Sequence, residues 1–557
     1  MSGIRENFNK IMIVDDEKLI LLAMSAKLKR EGYVPVPVGD VDSAVGILKE
    51  NPKAFGAIIT DIMMGDMDGF VFRDIVRGID RHMPMFFLTA LDPEEGSGFL
   101  KKILDDPQSY YLPKSVKTDV LLKRVRQIVA SRRVERFIEE KIESDKKSLE
   151  LAAHIQRSML PFRAVMTPRG QYSALWRPLD IVSGDLYEAV PFGFGSYLYL
   201  LGDIQGHGTS AALAMTAVQS FLKHLSHRSG APSMSPSDIA NLLHKFFRSS
   251  LPDVTYMTAL ICIHSPLVKE VRWISCGAPD LVVVDNGAEL AVNPERKGGL
   301  PIGLMPQTTY SREDEITTEL SPTALCIAFT DGLLDLSRDR DGSEKLPDDL
   351  RKKLCCEVIG SSRGEASVMA SLHKFMTACD AFGYDRPQDD LSILVFGARC
   401  EKHGVFEASI PLAPSEIDGI AQDMGQWCRD RNWDEESIGR LQLVLEEKLM
   451  NVYDHGFDDR DRLHEVASVR LLKNASGIQL TVWDCGTPEP SIQVATGDAS
   501  VAFDLANQAM SGHGRGRLMV RELCSGVERN RYGEMNETVY HLKPVDAPQG
   551  EANGGSK

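Results

Sequence analysis

Short apolar runs and amphipathic stretches alternate over residues 9–130. Lys10–Val14, Ala57–Thr60, Met85–Leu88 and Ser109–Leu112 read as strands, and Lys18–Arg30 as a helix. This alternation predicts a parallel doubly wound sheet, whose ligands belong at the carboxyl ends of its strands. From Val125 to Leu160 there is no Gly, no Pro and no strand-like alternation, which predicts one long helix. Ile128, Ile142 and Leu149 share a heptad position with Glu135 and Gln156, and Ile138, Ala152 and Met159 share another with Asp145. The expected pattern is a coiled-coil seam diluted by polar residues. Further on, the apolar runs Tyr197–Leu201, Ala324–Thr330 and Leu391–Phe396 each meet an acid at a boundary. After Gly397 the chain restarts with Phe406–Pro411, a helix over Glu435–Asp454 and a strand over Ile478–Trp483. Loops are expected at Ser229–Pro236 and Arg338–Ser343.

A chain of 557 residues exceeds one hydrophobic core and predicts three or more domains. Charged residues at 25% and hydrophobic ones at 43% are ordinary for globular protein. The net charge of −16 argues against nucleic acid as partner and favours proteins. Ten cysteines without C-x-x-C spacing fit a reduced compartment. No apolar run approaches the roughly 18 residues of a membrane span, so a cytoplasmic location is expected, with no membrane partner. The tail 546–557 is expected to be disordered by composition.

The polar residues of the first domain fall at the predicted strand ends. Asp15 and Asp16 follow Lys10–Val14, Asp61 follows Ala57–Thr60, Thr89 follows Met85–Leu88, and Lys114 lies just past Ser109–Leu112. Converging acids hold one Mg²⁺ and leave a carboxylate to be phosphorylated, while a hydroxyl and an ammonium bind phosphoryl oxygens. This set resembles the receiver domain of two-component response regulators. The resemblance implies a flavodoxin-like fold, Asp61 as phosphoacceptor, Asp15, Asp16 and Asp61 around Mg²⁺, Thr89 and Lys114 as the phosphoryl switch, Tyr111 as its aromatic partner, and a sensor histidine kinase as donor. Gly65 stands where Pro is usual, and Ser115 follows Lys114 instead of Pro. Neither change removes a reacting group.

In Gly202-Asp203-Ile204-Gln205-Gly206-His207-Gly208 a strand stops at a carboxylate beside a glycine turn, and a helix of small residues follows. Asp185, Asp331 and Asp389-Asp390 recur in matching contexts. Carboxylates suit Mg²⁺ or Mn²⁺, and two such ions about 3.5–4 Å apart activate water against a phosphoryl group. With Ser183-Gly184-Asp185 and Thr330-Asp331-Gly332, these motifs resemble metal-dependent Ser/Thr protein phosphatases of the SpoIIE-like branch. The resemblance implies an αββα sandwich and a two-ion Mn²⁺ or Mg²⁺ centre ligated by Asp185, Asp203, Asp331, Asp389 and the carbonyl of Ile204, with Asp390 the alternative to Asp389. Ala278 stands where relatives often carry His, at a position that ligates no metal.

On the helix Glu435–Asp454, Glu447, Asn451 and His455 recur every four residues and form one stripe. Leu441, Leu445, Leu449 and Val452 form another, facing the core. Glu446 points elsewhere. With Asp484-Cys485-Gly486 and the loop Gly512-His513-Gly514-Arg515-Gly516, the stripe resembles the GHKL ATPase fold, closest to anti-sigma-factor serine kinases of the RsbW/SpoIIAB type. The resemblance implies an α/β sandwich binding ATP and Mg²⁺. In it Asn451 is the Mg²⁺ ligand, His455 and Gly486 border the nucleotide, Asp484 reads the adenine amino group, Gly512, Gly514 and Gly516 line a lid, and Glu447 is the base. A helix is expected over Arg517–Leu523.

The expected organisation is a multidomain α/β and α+β chain: receiver 1–130, helical linker 131–160, phosphatase 161–398 and ATPase or serine kinase 405–545. By resemblance it is a partner-switching regulator whose Asp61 phosphorylation balances a phosphatase against a kinase on a STAS-type anti-sigma-factor antagonist. A sigma or anti-sigma factor is a further candidate partner, and the linker helix leaves a homodimer open. Two alternatives stand beside it: a C-terminal domain that binds nucleotide and sequesters a protein without transferring phosphate, and a scaffold with a dead phosphatase. Retained Glu447 and the four acids weigh against these.

Overall fold

The computed structural model describes residues 9–542 apart from 53, 65–66, 90–104, 168, 194, 207, 227–232, 253–254, 291–298, 361–367, 400–403, 458–464, 475–476, 489–491, 494–519 and 521–522. His207, Gly512, Gly514, Gly516, most of Arg517–Leu523 and the tail 546–557 therefore lie outside the described residues, as does the side chain of Thr89.

The first unit is Met1–Lys147. Its elements are β1 (Lys10–Val14), α1 (Lys18–Arg30), β2 (Val34–Val38), α2 (Val41–Glu50), β3 (Ala57–Asp61), α3 (Gly69–Ile79), β4 (Met85–Thr89), β5 (Ser109–Pro113) and the start of α4 (Thr118–Met159). The sheet runs β2–β1–β3–β4–β5 and every pairing is parallel. Side chains alternate across the pleat, so the two faces feed two cores. Met12, Val14, Ile58 and Phe87 pack under α2 and α3, and Ile11, Ile13, Ile59 and Phe86 pack under α1 and the first turns of α4. The long helix begins at Thr118, before the expected Val125, because Leu121, Leu122, Val125 and Val129 form an amphipathic stripe that closes the second core.

The second unit, Ser148–Lys557, holds two layered bodies. The first has two antiparallel sheets. One runs β8 (Asp185–Pro191), β9 (Tyr197–Ile204), β10 (Met257–Ser265), β11 (Glu270–Cys276) and β14 (Ile316–Glu319). The other runs β13 (Ala288–Leu290), β12 (Val282–Asp285), β15 (Leu325–Phe329), β16 (Leu391–Ala398), β7 (Gly170–Arg177) and β6 (Ala164–Met166). Their inner faces share one core, where Tyr199 stacks on Phe396 with ring centroids 4.1 Å apart. Outside the first sheet lie α5 (Thr209–Ser226) and α6 (Pro236–Ser250). Outside the second lie the short α7 (Asp331–Leu334), α8 (Asp348–Leu354) and α9 (Val368–Ala381). The layering is α/β/β/α. The expected loop ends at Ser235, whose capping box with Asp238 lets Pro236 open α6.

The second body is a six-stranded antiparallel sheet, β17 (Val405–Pro411), β18 (Val466–Asn474), β19 (Gly477–Asp484), β22 (Met535–Leu542), β21 (Cys524–Tyr532) and β20 (Ile492–Gln493). One face is covered by α10 (Pro414–Arg429) and α11 (Glu435–His455). Leu441, Leu445, Leu449 and Val452 of α11 are buried there, as their spacing requires.

The diluted seam is corrected by the structure. Gln156 is not a polar interruption on a free helix face: it is 1% exposed and hydrogen-bonded inside the second unit. Leu149, Ala152 and Ala153 pack beside it on Val182 and Ala212. In the first unit Ile128 packs against that unit's core. Both ends of the expected seam thus close local cores, and Ile138 and Ile142 between them stay exposed.

Candidate functional site

Because the N-terminal sheet is parallel, the carboxyl ends of its strands share one edge, and there Asp15, Asp16 and Asp61 meet. One oxygen from each lies within 4.8 Å of the others. Asp61 Oδ1 accepts the amide of Ile62 at 2.7 Å and Oδ2 accepts Lys114 Nζ at 2.7 Å. Asp15 Oδ1 accepts the amide of Glu17 at 2.8 Å. Its Oδ2 has no hydrogen-bond donor and lies 3.8 Å from Lys114 Nζ. Burial pushes the Asp15 carboxyl up. Burial would pull the Lys114 ammonium down, but its bond to Asp61 and the charges of Asp61 and Asp15 outweigh that and raise it. A buried carboxylate oxygen with no donor, in a nest of three acids, fits a hard cation. Gly69 packs close behind Asp61: a Cβ there would sit 2.5 Å from the Asp61 carbonyl oxygen. Tyr111 is half-buried against the core below.

In the α/β/β/α body Asp185 and Asp203 are cross-strand partners of β8 and β9. Asp331 follows β15, and Asp389 precedes β16. Asp185 is buried; its Oδ2 accepts Thr330 Oγ1 at 2.9 Å, and its Oδ1 has no donor. Burial first, then the charge of Asp203, pushes Asp185 well up. Burial, with Asp331, Asp389 and Asp390 as like charges, pushes Asp203 up to about 7. Asp331 is raised by burial and by Asp389. Carboxylates that destabilise one another's charge, one with a donorless buried oxygen, fit divalent cations. Among the described residues no three of these acids converge within 4.8 Å as the N-terminal trio does.

Asp390, beside Asp389, does different work. Its Oδ1 accepts the amide of Leu179 at 2.7 Å and its Oδ2 that of Gly184 at 2.8 Å. Both oxygens are thereby committed to backbone, while Asp389 is exposed. Gly184 and Gly332 permit the close approach: a Cβ would meet the Ile204 carbonyl oxygen at 2.8 Å in the first case and the Asp390 carbonyl oxygen at 1.9 Å in the second.

On α11 Asn451 Nδ2 donates to Glu447 Oε1 at 2.9 Å, and Asn451 and His455 are exposed. Burial, with the charge of Asp418 in α10, raises the Glu446 carboxyl. Lys448 is buried and pairs with Asp484 Oδ2 at 3.1 Å. Asp484 Oδ1 accepts the Gly486 amide at 3.0 Å and Asn536 Nδ2 at 2.9 Å. The Thr487 amide bonds the Gly456 carbonyl at 2.7 Å, stitching the turn after β19 to the end of α11. A Cβ on Gly486 would lie 3.1 Å from the Gly456 Cα, so only glycine fits there without displacement.

Three family descriptions match in series: response regulator receiver domain over residues 11–126, Stage II sporulation protein E (SpoIIE) over 194–399, and histidine kinase-like ATPase domain over 410–540. The chain is a receiver, phosphatase and ATPase fusion. It is a multidomain α/β protein with a flavodoxin-like receiver, a PP2C-like phosphatase and a GHKL-like ATPase domain. Among curated proteins, it is 37% identical over 92 residues to the transcriptional regulatory protein YvrH of Bacillus subtilis, covering 16% of this chain and 38% of that protein. It is 28% identical over 124 residues to the two-component response regulator ARR12 of Arabidopsis thaliana, covering 22% and 20%. The chain thus spans well under two thirds of these relatives. Among solved structures, the RsbU and RsbW domains of Rv1364c from Mycobacterium tuberculosis are 15% identical, with 69% of this chain and 95% of that one covered and a TM-score of 0.37. The SiaA-PP2C domain of Pseudomonas aeruginosa is 21% identical, with 46% and 98% covered and a TM-score of 0.38.

Sequence reasoning missed several residues around the phosphatase and ATPase sites. Thr330 and Asp390 hold the acids and their loops in the phosphatase, and Gln156 clamps the Ser183 backbone from outside the strands. In the ATPase domain Lys448 and Asn536 hold Asp484. Thr330, Asp390 and Gln156 stand in motifs visible in the sequence, Gln156 in the lead-in Ala152-x-x-Ile155-Gln156, and Lys448 is a charged residue one step off the apolar stripe, but the supporting role of each depends on contacts between segments far apart in sequence. Among the described residues no helix is long and apolar enough to cross a membrane.

Proposed function

We propose that this response regulator uses phosphorylation of Asp61 to set the balance between a Mn²⁺- or Mg²⁺-dependent Ser/Thr protein phosphatase and an ATP-dependent Ser/Thr kinase. Both would act on one STAS-type anti-sigma-factor antagonist. The observation that carries the reading is the phosphatase cleft, where Asp185 keeps a buried, donorless oxygen beside Asp203. In the receiver, a carboxylate oxygen of Asp61 attacks the phosphoryl group of a sensor kinase phosphohistidine, and the imidazole leaves. Lys114, already on Asp61, then binds a phosphoryl oxygen. Thr89 and Tyr111 complete the switch by resemblance.

In the phosphatase, Asp185, Asp203, Asp331, Asp389 and the Ile204 carbonyl would hold two divalent ions. When bound, such ions lower the pKa of a ligated water and neutralise charge on the phosphoryl oxygens. Thr330 and Asp390 keep the acids and their loops in place.

In the ATPase domain Asn451 would hold Mg²⁺ and Asp484 would face the adenine amino group. Glu447, half-buried and bonded to Asn451, would take the proton from the attacking serine hydroxyl. A sensor histidine kinase, the phosphorylated STAS-type protein and a sigma or anti-sigma factor are the partners this reading requires.

The test is phosphorylation of a candidate STAS-type protein by the full chain with labelled ATP, followed by its release with Mn²⁺ present. Asp203→Asn should abolish release alone, and Glu447→Ala should abolish transfer while sparing ATP binding. Transfer undiminished in Glu447→Ala would remove the base assignment. Nucleotide binding without transfer in the unaltered chain would leave the domain a binding module.

A further inference from the structure

Among the described residues, the ATPase sheet is covered by its own helices on one face, and the other face meets the phosphatase. Val466, Trp483 and Met535 pack there against Ala164, Met369 and Ala370, with Phe162, Cys485 and Tyr532 at the margin. At its centre Glu537 is 8% exposed and gathers donors from both domains. Trp483 Nε1 reaches its Oε1 at 2.9 Å, Lys374 Nζ of α9 reaches the same oxygen at 3.2 Å, and Asn530 Nδ2 reaches Oε2 at 3.0 Å. The Lys374 ammonium also sits 4.8 Å from the centroid of the Tyr532 ring.

The pleat links this contact to the opposite face of the sheet. Trp483 is register partner of Glu537, and the next pair along is Asp484 with Asn536. Neighbours on a strand point to opposite faces, so Trp483 and Glu537 face the phosphatase while Asp484 and Asn536 face α11. Asn536 Nδ2 is bonded to Asp484 Oδ1 at 2.9 Å and also reaches the Thr487 carbonyl at 3.1 Å. Asn536 and Glu537 are therefore successive residues of one strand, one holding the Asp484 carboxylate and the other held by a lysine of a different domain.

We propose that phosphatase helix α9 is a working part of the ATPase nucleotide site, with Lys374 as positioning residue: by fixing Glu537 behind the sheet, it sets Asn536 and Asp484 in front. The proposal rests on the reading that Asp484 faces the adenine. A bound purine with an exocyclic amino group needs Asp484 at hydrogen-bond geometry, and a shift of β22 by a fraction of an ångström degrades that bond. Without Lys374, Glu537 keeps Trp483, Asn530 and the Tyr532 hydroxyl at 3.4 Å but loses its only cationic donor among the described residues. The phosphatase then keeps apolar contact, which lacks direction, and the looser pairing of Arg163 and Arg177 with Glu534 at 3.8 and 3.7 Å, at the start of the strand and three residues from Glu537.

The experiment measures binding of a fluorescent ATP analogue with Mg²⁺ to the full chain, alongside melting temperature and nucleotide-free hydrolysis of p-nitrophenyl phosphate. Lys374→Met keeps the apolar stem and removes the charge. The expected result is a dissociation constant raised about 5-fold or more, within the usual range of coupling between sites. Melting temperature and phosphatase rate should stay near those of the unaltered chain, and Lys374→Arg should restore affinity. Unchanged affinity in Lys374→Met overturns the proposal and leaves the nucleotide reading standing, as does a loss that Arg does not rescue. No binding by the unaltered chain overturns both, which separates the two failures.

Discussion

Gln156 Nε2 donates to the carbonyl oxygen of Ser183 at 2.8 Å, and Gln156 Oε1 accepts the Ser183 amide at 3.2 Å. One side chain from the end of α4 thus mimics a strand partner for the residue that precedes Gly184-Asp185. The same amide nitrogen lies 3.3 Å from the Ala212 carbonyl of α5. Gln156→Ala should leave the buried Ser183 amide and carbonyl without partners, at roughly 1–3 kcal/mol each in the worst case. The expected outcome is a lower melting temperature together with a higher Mn²⁺ requirement for p-nitrophenyl phosphate hydrolysis. A normal Mn²⁺ titration in a folded variant would show that the loop carrying Asp185 keeps its place without this clamp.

Neighbouring acids should respond oppositely. Asp390→Asn replaces an oxygen that accepts a backbone amide with an amino group that cannot, destabilising the fold by about 1–3 kcal/mol. Asp389→Asn, at an exposed site, should leave the melting temperature unchanged and remove metal-dependent turnover. Comparing melts and Mn²⁺ titrations of the two variants checks the division. A cold-stable, fully active Asp389→Asn would exclude it as a ligand.

Lys448 and Asp484 form a buried pair, 4% and 1% exposed on their side chains. Removing one member strands the other charge, and such losses run to about 3–5 kcal/mol. Lys448→Met should therefore lower stability sharply in urea titrations, whereas Glu447→Ala, one residue away on an accessible face, should change it little. Equal stability of the two variants would contradict the pairing.

His373 of α9 is buried against Cys485, with Nε2 3.6 Å from the Cys485 Sγ. Burial first, then the charges of Arg163, Arg177 and Arg531, pull its pKa down to about 3. Its unfolded value is near 6.5, so between those values the unfolded chain binds more protons and stability falls as pH falls. The loss should begin below about pH 6.5 and reach roughly 2 kcal/mol by pH 5. Melting curves of the unaltered chain and His373→Gln across pH 7 to 4.5 check this, with a shallower slope expected for the variant. Parallel slopes would mean that His373 is not the group that titrates.

By itself the sequence determined the parts whose physics is local. Unbroken apolar runs specified β1, β3 and β9, because a strand buried on both faces needs no polar alternation, and period-four spacing specified α11, because a helix turn buries one face. It also placed Asp15, Asp61, Asp203 and Asp331, since a strand that ends in an acid shows the change from apolar to polar in the chain itself. Tertiary structure alone decided which polar residues serve as props. Asp389 and Asp390 are adjacent and chemically identical, yet only the fold brings the Leu179 and Gly184 amides to one of them. Gln156 fits a heptad as a polar interruption, and only the packing of Ala153 on Val182 and Ala212 turns it into a clamp. Lys374 and Glu537 lie 163 positions apart and carry no shared pattern. A hydrogen bond between distant segments depends on where the backbone ends up, and spacing along the chain does not encode that.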